Sequence, residues 1–272
     1  MRLDLPYELD KRPVSAVVIS SQLVYGSVGN IVISRLIERA GYRAVSVPTV
    51  MFSNLPHYSS LAGGAVDNAW LSGMLDDLLE RDVLREAVYV CVGYLAHPDQ
   101  ALIVGQWFTR ALETNPELRL IVDPAMGDDD VGLYTAPEVV DGYIQHLIPL
   151  ASGVTPNNFE LALLIEGGSK KSLVDKVQSW LTPTLRWVAV TSAANSGSHA
   201  STVDTLLVTS QGSTLVKTPA VESRAKGAGD FFLGTTVGCL LGNNTLEDSV
   251  ALAATATAKA LAGSDAYFSP TT

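Results

Sequence analysis

The chain has 272 residues, of which 47% are hydrophobic, and a formal net charge of −10 at pH 7. That length and composition suffice for one large buried core. The acidic balance, without any cluster of lysine and arginine, argues against a nucleic-acid surface. No apolar run reaches the roughly 20 residues of a membrane helix, so no membrane partner is expected. The charged N-terminus does not resemble a signal peptide, and Cys91 and Cys239 indicate small core residues in a reducing compartment. We therefore expect a cytoplasmic protein.

Short apolar runs rich in β-branched residues alternate with longer amphipathic stretches along the chain. The short runs predict buried strands at residues 14–20, 44–50, 87–94, 118–123 and 187–192. The amphipathic stretches predict helices over residues 29–40, 68–81, 100–115, 137–149 and 173–181. This alternation is typical of a three-layer α/β/α fold with a mostly parallel central sheet. The carboxyl ends of its strands meet at one edge, where such sheets bind ligands.

The last third of the chain has a different pattern. Two β-rich runs, 205–209 and 214–217, flank a glycine turn and predict an antiparallel hairpin at the edge of the sheet. Helical patterns follow over residues 229–242 and 246–262, and residues 195–203 indicate a flexible loop. Neither a repeat nor a linker divides the chain. We expect an N-terminal arm, 1–13, followed by a single domain, 14–272.

The stretch most informative about function is Lys226-Gly227-Ala228-Gly229-Asp230, which precedes an apolar run that predicts a buried helix. Glycines permit a tight turn with outward backbone N–H groups, and a helix N-terminus of this kind can bind an anion. A carboxylate at that position is suited to accept a proton beside a phosphate. The same sequence is also explained by a glycine loop followed by an ordinary acidic residue in the first turn of a helix.

Polar side chains that follow the other predicted strands point to phosphoryl transfer. Asp123, Asn157 and Glu160 offer hard oxygen ligands for Mg²⁺, directly or through water. His57 adds a hydrogen-bonding group, and Tyr94 adds a flat ring that could stack on a planar ligand. Taken singly, each residue is better explained by a structural role: a helix start, a strand end, loop packing or a core aromatic. Their joint placement after consecutive strands favours phosphoryl transfer.

Together these segments resemble the vitamin B6 (pyridoxal/pyridoxine) kinases of the ribokinase-like superfamily. The resemblance extends from about Val14 to the last helix. The segment 47–58 is similar to the bacterial pyridoxine-kinase branch, because the animal branch has His-Thr-Gly where this chain has Leu55-Pro56-His57. The motifs that carry the resemblance, in the order of the family, are Ser21 to Asn30, Val47 to Tyr58, Asp123 to Asp128, Thr155 to Glu160, Val190 to Ser192, and Gly227 to Asp230.

The resemblance implies ATP-dependent phosphorylation of the 5′-hydroxyl of pyridoxal, pyridoxine or pyridoxamine, with Mg²⁺ as cofactor, by a homodimer. A requirement for K⁺ stays open. Asp230 would be the general base, and Gly227, Ala228 and Gly229 would form the anion hole. The substrate site would contain Asp230, Ser21, His57, Tyr94 and Val50. The nucleotide site would contain Asp123, Thr155, Thr191, Thr218, Pro219, Ala220, Val221 and Ala228, and the metal region Tyr134 and Glu160.

Three residues depart from the pattern of the family, and one adds a further possibility. Ala228 replaces the usual threonine, which removes a hydroxyl near the phosphates but keeps the backbone N–H, so we expect activity with weaker nucleotide binding. Ala125 replaces valine, and Leu55 makes the substrate loop apolar. The amine of Lys226 could form a Schiff base with the aldehyde of pyridoxal, or could simply be solvated or neutralise phosphate.

Alternative functions remain at this point. A hydroxymethylpyrimidine kinase of the same superfamily would phosphorylate a similar planar heterocycle. A ribokinase-type sugar kinase would need more hydrogen-bonding side chains than Val50, Phe52 and Leu55 offer. A non-catalytic B6-binding protein is favoured only by Ala228, and the retention of the acidic residues favours an enzyme.

Overall fold

The computed structural model describes residues 8–165, 172–193 and 201–263. The strands are β1 Val14–Leu23, β2 Arg43–Phe52, β3 Gly63–Ala65, β4 Tyr89–Val92, β5 Arg119–Val122, β6 Gly127–Asp128, β7 Gly132–Leu133, β8 Ala151–Val154, β9 Trp187–Val190, β10 Thr202–Thr209 and β11 Gly212–Pro219. The helices are α1 Asn30–Arg39, α2 Asn68–Glu80, α3 Pro98–Thr114, α4 Pro137–Gly142, α5 Asn158–Leu164, α6 Leu173–Trp180, α7 Ala228–Leu241 and α8 Leu246–Leu261. Across these ranges, none of the helices combines the length and the apolar character that a membrane crossing demands.

The central sheet confirms the expected mostly parallel architecture. Its strand order is β11-β10-β9-β8-β5-β4-β1-β2-β3. The six strands from β9 to β2 are parallel, whereas β10–β11 form an antiparallel hairpin at one edge and β3 pairs antiparallel with β2 at the other. β6 and β7 form a separate small hairpin. The predicted hairpin at the edge of the sheet is therefore present.

Helices cover both faces of the sheet, because successive strand residues point to opposite sides. Val17 and Ile19 of β1 belong to one core cluster, and Ala16 and Val18 belong to the other. The first cluster includes residues of α2 and α3, and the second includes residues of α1, α7 and α8. This arrangement is the three-layer α/β/α fold.

The order of the strands places a crevice beside β1. After β1 the chain adds β2 on one side of it and later returns to add β4 on the other side. In open parallel sheets, ligands bind outside the carboxyl ends of the strands at such a reversal of strand order. The loops after β1, β2, β4 and β5 therefore surround the expected ligand-binding edge.

Several element boundaries differ from the sequence-based predictions. β10 begins at Thr202, so the predicted loop 195–203 is too long by at least two residues; residues 195–200 lie outside the described ranges. The predicted helix 137–149 is α4 followed by a π-helical turn, Tyr143–Leu147, and a 3₁₀ turn, Ile148–Leu150. Pro149 lacks an N–H and cannot continue an α-helical ladder. β3 was not predicted, because Gly63-Gly64-Ala65 carries no β pattern of its own.

The part of the predicted N-terminal arm that is described, residues 8–13, has no regular secondary structure. Arg12 Nη2 donates to Glu38 of α1 at 2.6 Å, and Arg43 Nη2 of β2 donates to Glu8 at 3.1 Å. The side chains of these ion pairs are partly exposed, between 19% and 49%, so solvent screens the pairs and each contributes little stability. The division into an arm and a single domain stays a prediction.

Candidate active site

The glycine turn before α7 lies at the ligand-binding edge and is shaped by close approach of neighbouring chain segments. Gly227 is the N-cap of α7 and has φ 96°, a left-handed conformation that favours glycine. A Cβ there would lie 2.5 Å from the carbonyl oxygen of Ser27, in the loop after β1. A Cβ at Gly229 would lie 3.2 Å from Oδ2 of Asp123. The turn therefore packs between the β1 loop and the end of β5.

Two helices begin at this edge without a side-chain cap. α7 starts after Gly227 and α1 starts after Gly29, and neither N-cap accepts a hydrogen bond through a side chain. In contrast, α2, α3, α5, α6 and α8 are each capped by a side chain, and of the other described α-helices only the six-residue α4 also lacks such a cap. Uncapped first-turn N–H groups, together with the helix dipole, attract an anion.

Asp230 and Asp123 place two carboxylates beside the turn. Asp230 lies in the first turn of α7 and is partly exposed; burial raises its pKa, and a backbone hydrogen bond from Gly29 opposes that rise. Asp123 follows β5 and is buried, and its Oδ1 accepts a hydrogen bond from Oγ1 of Thr155 at 3.1 Å. Burial, with the Asp230 carboxylate as a second cause, raises the pKa of Asp123 to about 8. The two acids share one poorly solvated region.

Glu160 is buried and joins α5 to the loop after β5. Its Oε2 accepts from the Asn157 N–H at 2.9 Å and its Oε1 accepts from the Met126 N–H at 3.0 Å. Asn157 completes a capping box, because its Oδ1 accepts from the Glu160 N–H at 2.8 Å. Burial and then the Asp123 carboxylate raise the pKa of Glu160 well above its usual range. Asn157, a candidate Mg²⁺ ligand on sequence grounds, thus serves as a helix cap.

The residues at this edge fit a magnesium ion that is shared with a nucleotide. Mg²⁺ is commonly held by one or two carboxylates together with substrate phosphates and water. Asp123 and Glu160 supply such a pair of carboxylates, and within the described ranges no group of three potential His, Cys, Asp or Glu ligands occurs. Burial, together with the nearby Glu160 and other acids, raises the pKa of Tyr134, so its phenol stays protonated and is a weaker ligand than either carboxylate.

The residues predicted to bind the substrate differ in how accessible they are. Ser21 is buried in β1, and its Oγ and carbonyl oxygen lie against Gly29, where a Cβ would approach within 2.2 and 2.3 Å. Tyr94 follows β4 and stacks on Tyr134, with ring centroids 6.3 Å apart and planes inclined by 27°. Val50 is fully buried in β2, and His57 is exposed in the loop after β2. Tyr94 and the neighbourhood of Ser21 thus lie beside the acids, whereas His57 stands on the rim.

The residues predicted to bind the nucleotide lie on the other side of the turn. Thr191 follows β9, and its N–H donates to the carbonyl of Pro156 at 2.9 Å. The stretch Thr218, Pro219, Ala220 and Val221 ends β11, which runs in the same direction as β9 because both are antiparallel to β10. Thr218 is buried, whereas Pro219 and Ala220 are exposed. This stretch therefore reaches the same edge of the sheet as Thr191.

Four buried polar residues that sequence reasoning did not single out hold the edge together. Asn30 Nδ2 donates to the carbonyls of Ser20 and Val47 at 3.0 and 3.1 Å. Ser20 Oγ accepts from the Tyr94 N–H at 3.1 Å, and Thr49 Oγ1 donates to the Tyr94 carbonyl at 2.6 Å. Gln100 Nε2 donates to the Thr49 carbonyl at 2.8 Å. The available signal was a polar residue within an apolar strand for Ser20 and Thr49, and a polar residue near the start of a helix for Asn30 and Gln100, but the partners of all four are distant in sequence.

Comparison with known proteins agrees with this geometry. A family model described as phosphomethylpyrimidine kinase matches residues 65–268. The chain is 38% identical over 258 residues to a pyridoxine/pyridoxal/pyridoxamine kinase of Bordetella bronchiseptica, covering 94% of this chain and 91% of that protein. It is 40% identical over 248 residues to the kinase of the same description from Bordetella avium, covering 90% of this chain and 84% of that protein.

Solved structures give the same picture. The pyridoxal kinase of Entamoeba histolytica superposes with a TM-score of 0.83 at 20% identity, covering 93% of this chain and 90% of that one. The pyridoxal kinase of Leishmania donovani in complex with ADP and pyridoxamine superposes with a TM-score of 0.78 at 25% identity, covering 88% and 83%. The fold and the glycine turn before α7 define a kinase of the ribokinase-like superfamily. The identity to the two Bordetella proteins then shows that the chain belongs to the vitamin B6 kinase family within it.

Proposed function

We propose that the protein transfers the γ-phosphoryl group of ATP to the 5′-hydroxyl of pyridoxal, pyridoxine or pyridoxamine. The observation that carries the proposal is the meeting of two uncapped helix N-termini, those of α1 and α7, beside the carboxylate of Asp230. The N–H groups suit the transferring phosphoryl group, and the carboxylate suits the proton of the acceptor hydroxyl. The solved structures of the Leishmania donovani pyridoxal kinase in complex with ADP and pyridoxamine, and with ADP and pyridoxine, support these substrates.

Asp230 is proposed as the general base. A base works best when its pKa approaches the working pH, and burial raises the pKa of this carboxylate towards that range. The backbone N–H groups of Ala228 and Gly229 would stabilise the charge on the phosphoryl group without reorganising, because α7 fixes their direction. In this chain the base and the anion hole belong to a single helical turn, so their relative position is rigid.

Asp123 and Glu160, with Tyr134 beside them, are proposed to form the magnesium region. Asp123 and Glu160 would hold the ion, which would supply positive charge that neutralises the phosphates. Burial is the main cause of the raised pKa of both acids; the Asp230 carboxylate adds to it for Asp123, and the Asp123 carboxylate adds to it for Glu160. A cation in this acidic, poorly solvated region would relieve the repulsion among these carboxylates. Thr155 keeps one oxygen of Asp123 oriented.

The two sides of the glycine turn are proposed to divide between the two substrates. Thr191 and the stretch 218–221 would contact the nucleotide, because they lie at the ends of β9 and β11. Ser21, His57, Tyr94 and Val50 would surround the pyridine ring. Tyr94 offers its ring to a planar ligand, and the exposed His57 would need to move inward with its loop, since it now stands on the rim.

The replacement of Asp230 by asparagine tests the proposal. Asp230→Asn keeps the shape of the side chain but removes its basicity, so we expect kcat to fall by about 10²–10⁴-fold. KM for ATP and for pyridoxal should change far less, since the anion hole is main chain. Asp141→Asn, on the exposed side of α4, removes an equal charge and should keep wild-type kcat. Turnover by Asp230→Asn at the wild-type rate would refute the assignment of the base.

A second function is favoured by the description of the matching family model, which names phosphomethylpyrimidine kinase. Hydroxymethylpyrimidine is also a planar heterocycle with a hydroxymethyl group, and the proposed base and anion hole suit it equally. An ATP-consumption assay with the three B6 vitamers and with hydroxymethylpyrimidine, each with and without K⁺, separates the two functions. The B6 proposal requires the higher kcat/KM for at least one vitamer.

A cytoplasmic homodimer is the proposed assembly. An exposed apolar surface at the β2–β3 edge supports it, since large exposed apolar patches commonly mark interfaces. Val24 and Tyr25 are 84% and 67% exposed, Met51 and Tyr58 are about half exposed, and the Tyr25 and Tyr58 rings lie 6.0 Å apart. Sedimentation equilibrium of the wild type and of Val24→Asp measures the assembly; a wild-type monomer at micromolar concentration would exclude it.

A further inference from the structure

A cavity lies at the amino edge of the sheet, opposite the candidate active site. Its volume is about 210 Å³, and it opens between the first residues of the strands and the turn that joins α7 to α8. Tyr89, Arg119 and Trp187 begin β4, β5 and β9, and Arg186 directly precedes β9. Leu240 near the end of α7 and Leu246 at the start of α8 form the opposite wall. The proposed function uses none of these residues.

The register of the sheet places the two arginines on either side of β8. Tyr89 pairs with Arg119 across β4 and β5, and the Arg186 N–H donates to the carbonyl of Ser152 in β8 at 3.0 Å. One strand thus separates the two arginine backbones, a distance of about 10 Å from the usual spacing of strands. Two long guanidinium side chains at that separation can both reach a ligand that lies between them over β8.

Neither arginine has a carboxylate partner within the part of the chain that the structure describes. No Asp or Glu oxygen of these ranges lies within 4.0 Å of a guanidinium nitrogen of Arg119 or Arg186. The polar side chain that Arg119 does meet is the phenol of Tyr89: burial raises the pKa of this phenol, and Arg119 lowers it. In a chain with a net charge of −10, two cations at one cavity without acidic partners form a local positive site. Five other arginines of the described ranges pair with acids, namely Arg12, Arg43, Arg81, Arg85 and Arg110, whereas Arg35 and Arg224 form no ion pair with a carboxylate of these ranges either.

The floor of the cavity is aromatic and rigid. Trp187 is 8% exposed and Tyr89 is 6% exposed. The indole lies directly on the backbone of Gly153, where a Cβ would be 2.1 Å from Cε2 of Trp187. The ring can occupy this position only because residue 153 is glycine. Two guanidinium groups above a fixed, largely buried aromatic surface favour a ligand that has an anionic head and an apolar body.

We propose that this cavity binds a phosphate group, with Arg119 and Arg186 on its oxygens and any apolar body of the ligand against Trp187, Leu240 and Leu246. Arginine suits this role because its planar fork matches phosphate oxygens in a bidentate manner. The volume admits a phosphate or a small phosphate monoester but is below that of the usual drug-sized pocket. Free phosphate and a monoester share this chemistry, so the experiment uses both.

Thermal unfolding at constant ionic strength tests the inference, with inorganic phosphate or phenyl phosphate replacing chloride. A ligand that binds the folded state raises Tm in proportion to ln(1 + [L]/Kd). The variant is the double substitution Arg119→Gln and Arg186→Gln. Both side chains are exposed, so the variant should fold and match the wild-type Tm in chloride. Phosphate that binds at the N-termini of α1 and α7 shifts Tm of both proteins equally, so the difference between them reports the amino-edge cavity alone.

We expect the double variant to bind at least tenfold more weakly at this site, visible as a smaller Tm shift with one or both ligands. If phenyl phosphate raises the wild-type Tm more than inorganic phosphate does, the ligand is a phosphate monoester. If the two compounds raise it equally, the ligand is free phosphate. The matched control, Arg81→Gln with Arg85→Gln, removes the same charge from exposed ion pairs near the end of α2 and should keep the full shift. The proposal would be overturned if phosphate raised the Tm of the Arg119/Arg186 double variant as much as that of the wild type. It would also be overturned if the Arg81/Arg85 control lost as much of the Tm shift as the double variant does.

Discussion

The replacement of Gly227 by alanine should impair both folding and turnover, for two separable reasons. At φ 96° an alanine carries a backbone strain of about 1–2 kcal/mol. In addition, its Cβ would lie 2.5 Å from the carbonyl oxygen of Ser27 and 3.2 Å from Cγ1 of Val28. The closer neighbour is backbone and cannot swing away, so overpacking adds about 1–3 kcal/mol. We therefore expect Gly227→Ala to lower the free energy of unfolding by roughly 2–5 kcal/mol.

Gly41 offers a matched control, because its φ is also 96° but a Cβ there meets no atom within 4 Å. Gly41→Ala should show the strain alone, about 1–2 kcal/mol, and wild-type turnover. In Gly227→Ala the contact with Ser27 is relieved only if the start of α7 moves, which displaces Asp230 and the N–H groups beside it. A displacement of about 1 Å can cost on the order of 10²-fold in rate.

Urea unfolding measures the first effect, and steady-state phosphorylation of pyridoxal by MgATP measures the second. The reasoning requires Gly227→Ala to be less stable than Gly41→Ala and to have the lower kcat. If the two variants were equally stable, the contact with Ser27 would not constrain the turn. If Gly227→Ala kept full kcat, the turn would not position the base.

Three further predictions concern the site and the sheet. Folding raises the pKa of Asp123 from 3.8 to about 8, so this carboxyl stabilises the folded state fully below pH 3.8 and loses that contribution as the pH rises towards 8. The free energy of unfolding in urea should therefore fall between pH 5 and 8, by at most about 1.4 kcal/mol per pH unit for one proton, and Asp123→Asn should make this fall shallower. An unchanged slope in Asp123→Asn would count against burial as the cause. Gly153→Ala should destabilise the protein by about 1–3 kcal/mol, because the new Cβ would clash with the ring of Trp187. Gly73→Ala lies in α2 with open space around it and should stabilise the protein by about 0.5–1 kcal/mol. If both variants changed the free energy of unfolding in urea in the same direction, this reasoning would be wrong. Ala228→Thr restores a hydroxyl at the phosphate turn and should lower KM for ATP several-fold, and a KM that stays the same would show that the main-chain N–H groups suffice.

The sequence contained enough local information to predict the fold class and the chemical nature of the site. Strands such as β1 and β9 are runs of apolar, β-branched residues, and helices such as α3 repeat apolar residues at helical spacing, so their types follow from neighbouring letters. The turn at Gly227 and the carboxylate of Asp230 are consecutive in the chain. Their relation to the start of α7 could therefore be predicted without any long-range contact.

The tertiary structure decided whatever depends on residues that are distant in sequence. It showed Asn157 to be a cap of α5 and Glu160 to be tied to two backbone N–H groups, because the loop after β5 folds back onto α5. It also brought the N-terminus of α1 to Asp230 and placed Arg119 and Arg186 on either side of β8. Periodicity reports which way a side chain points within its own element. Strand order and register determine which side chains meet, and they depend on the packing of the whole sheet against its helices.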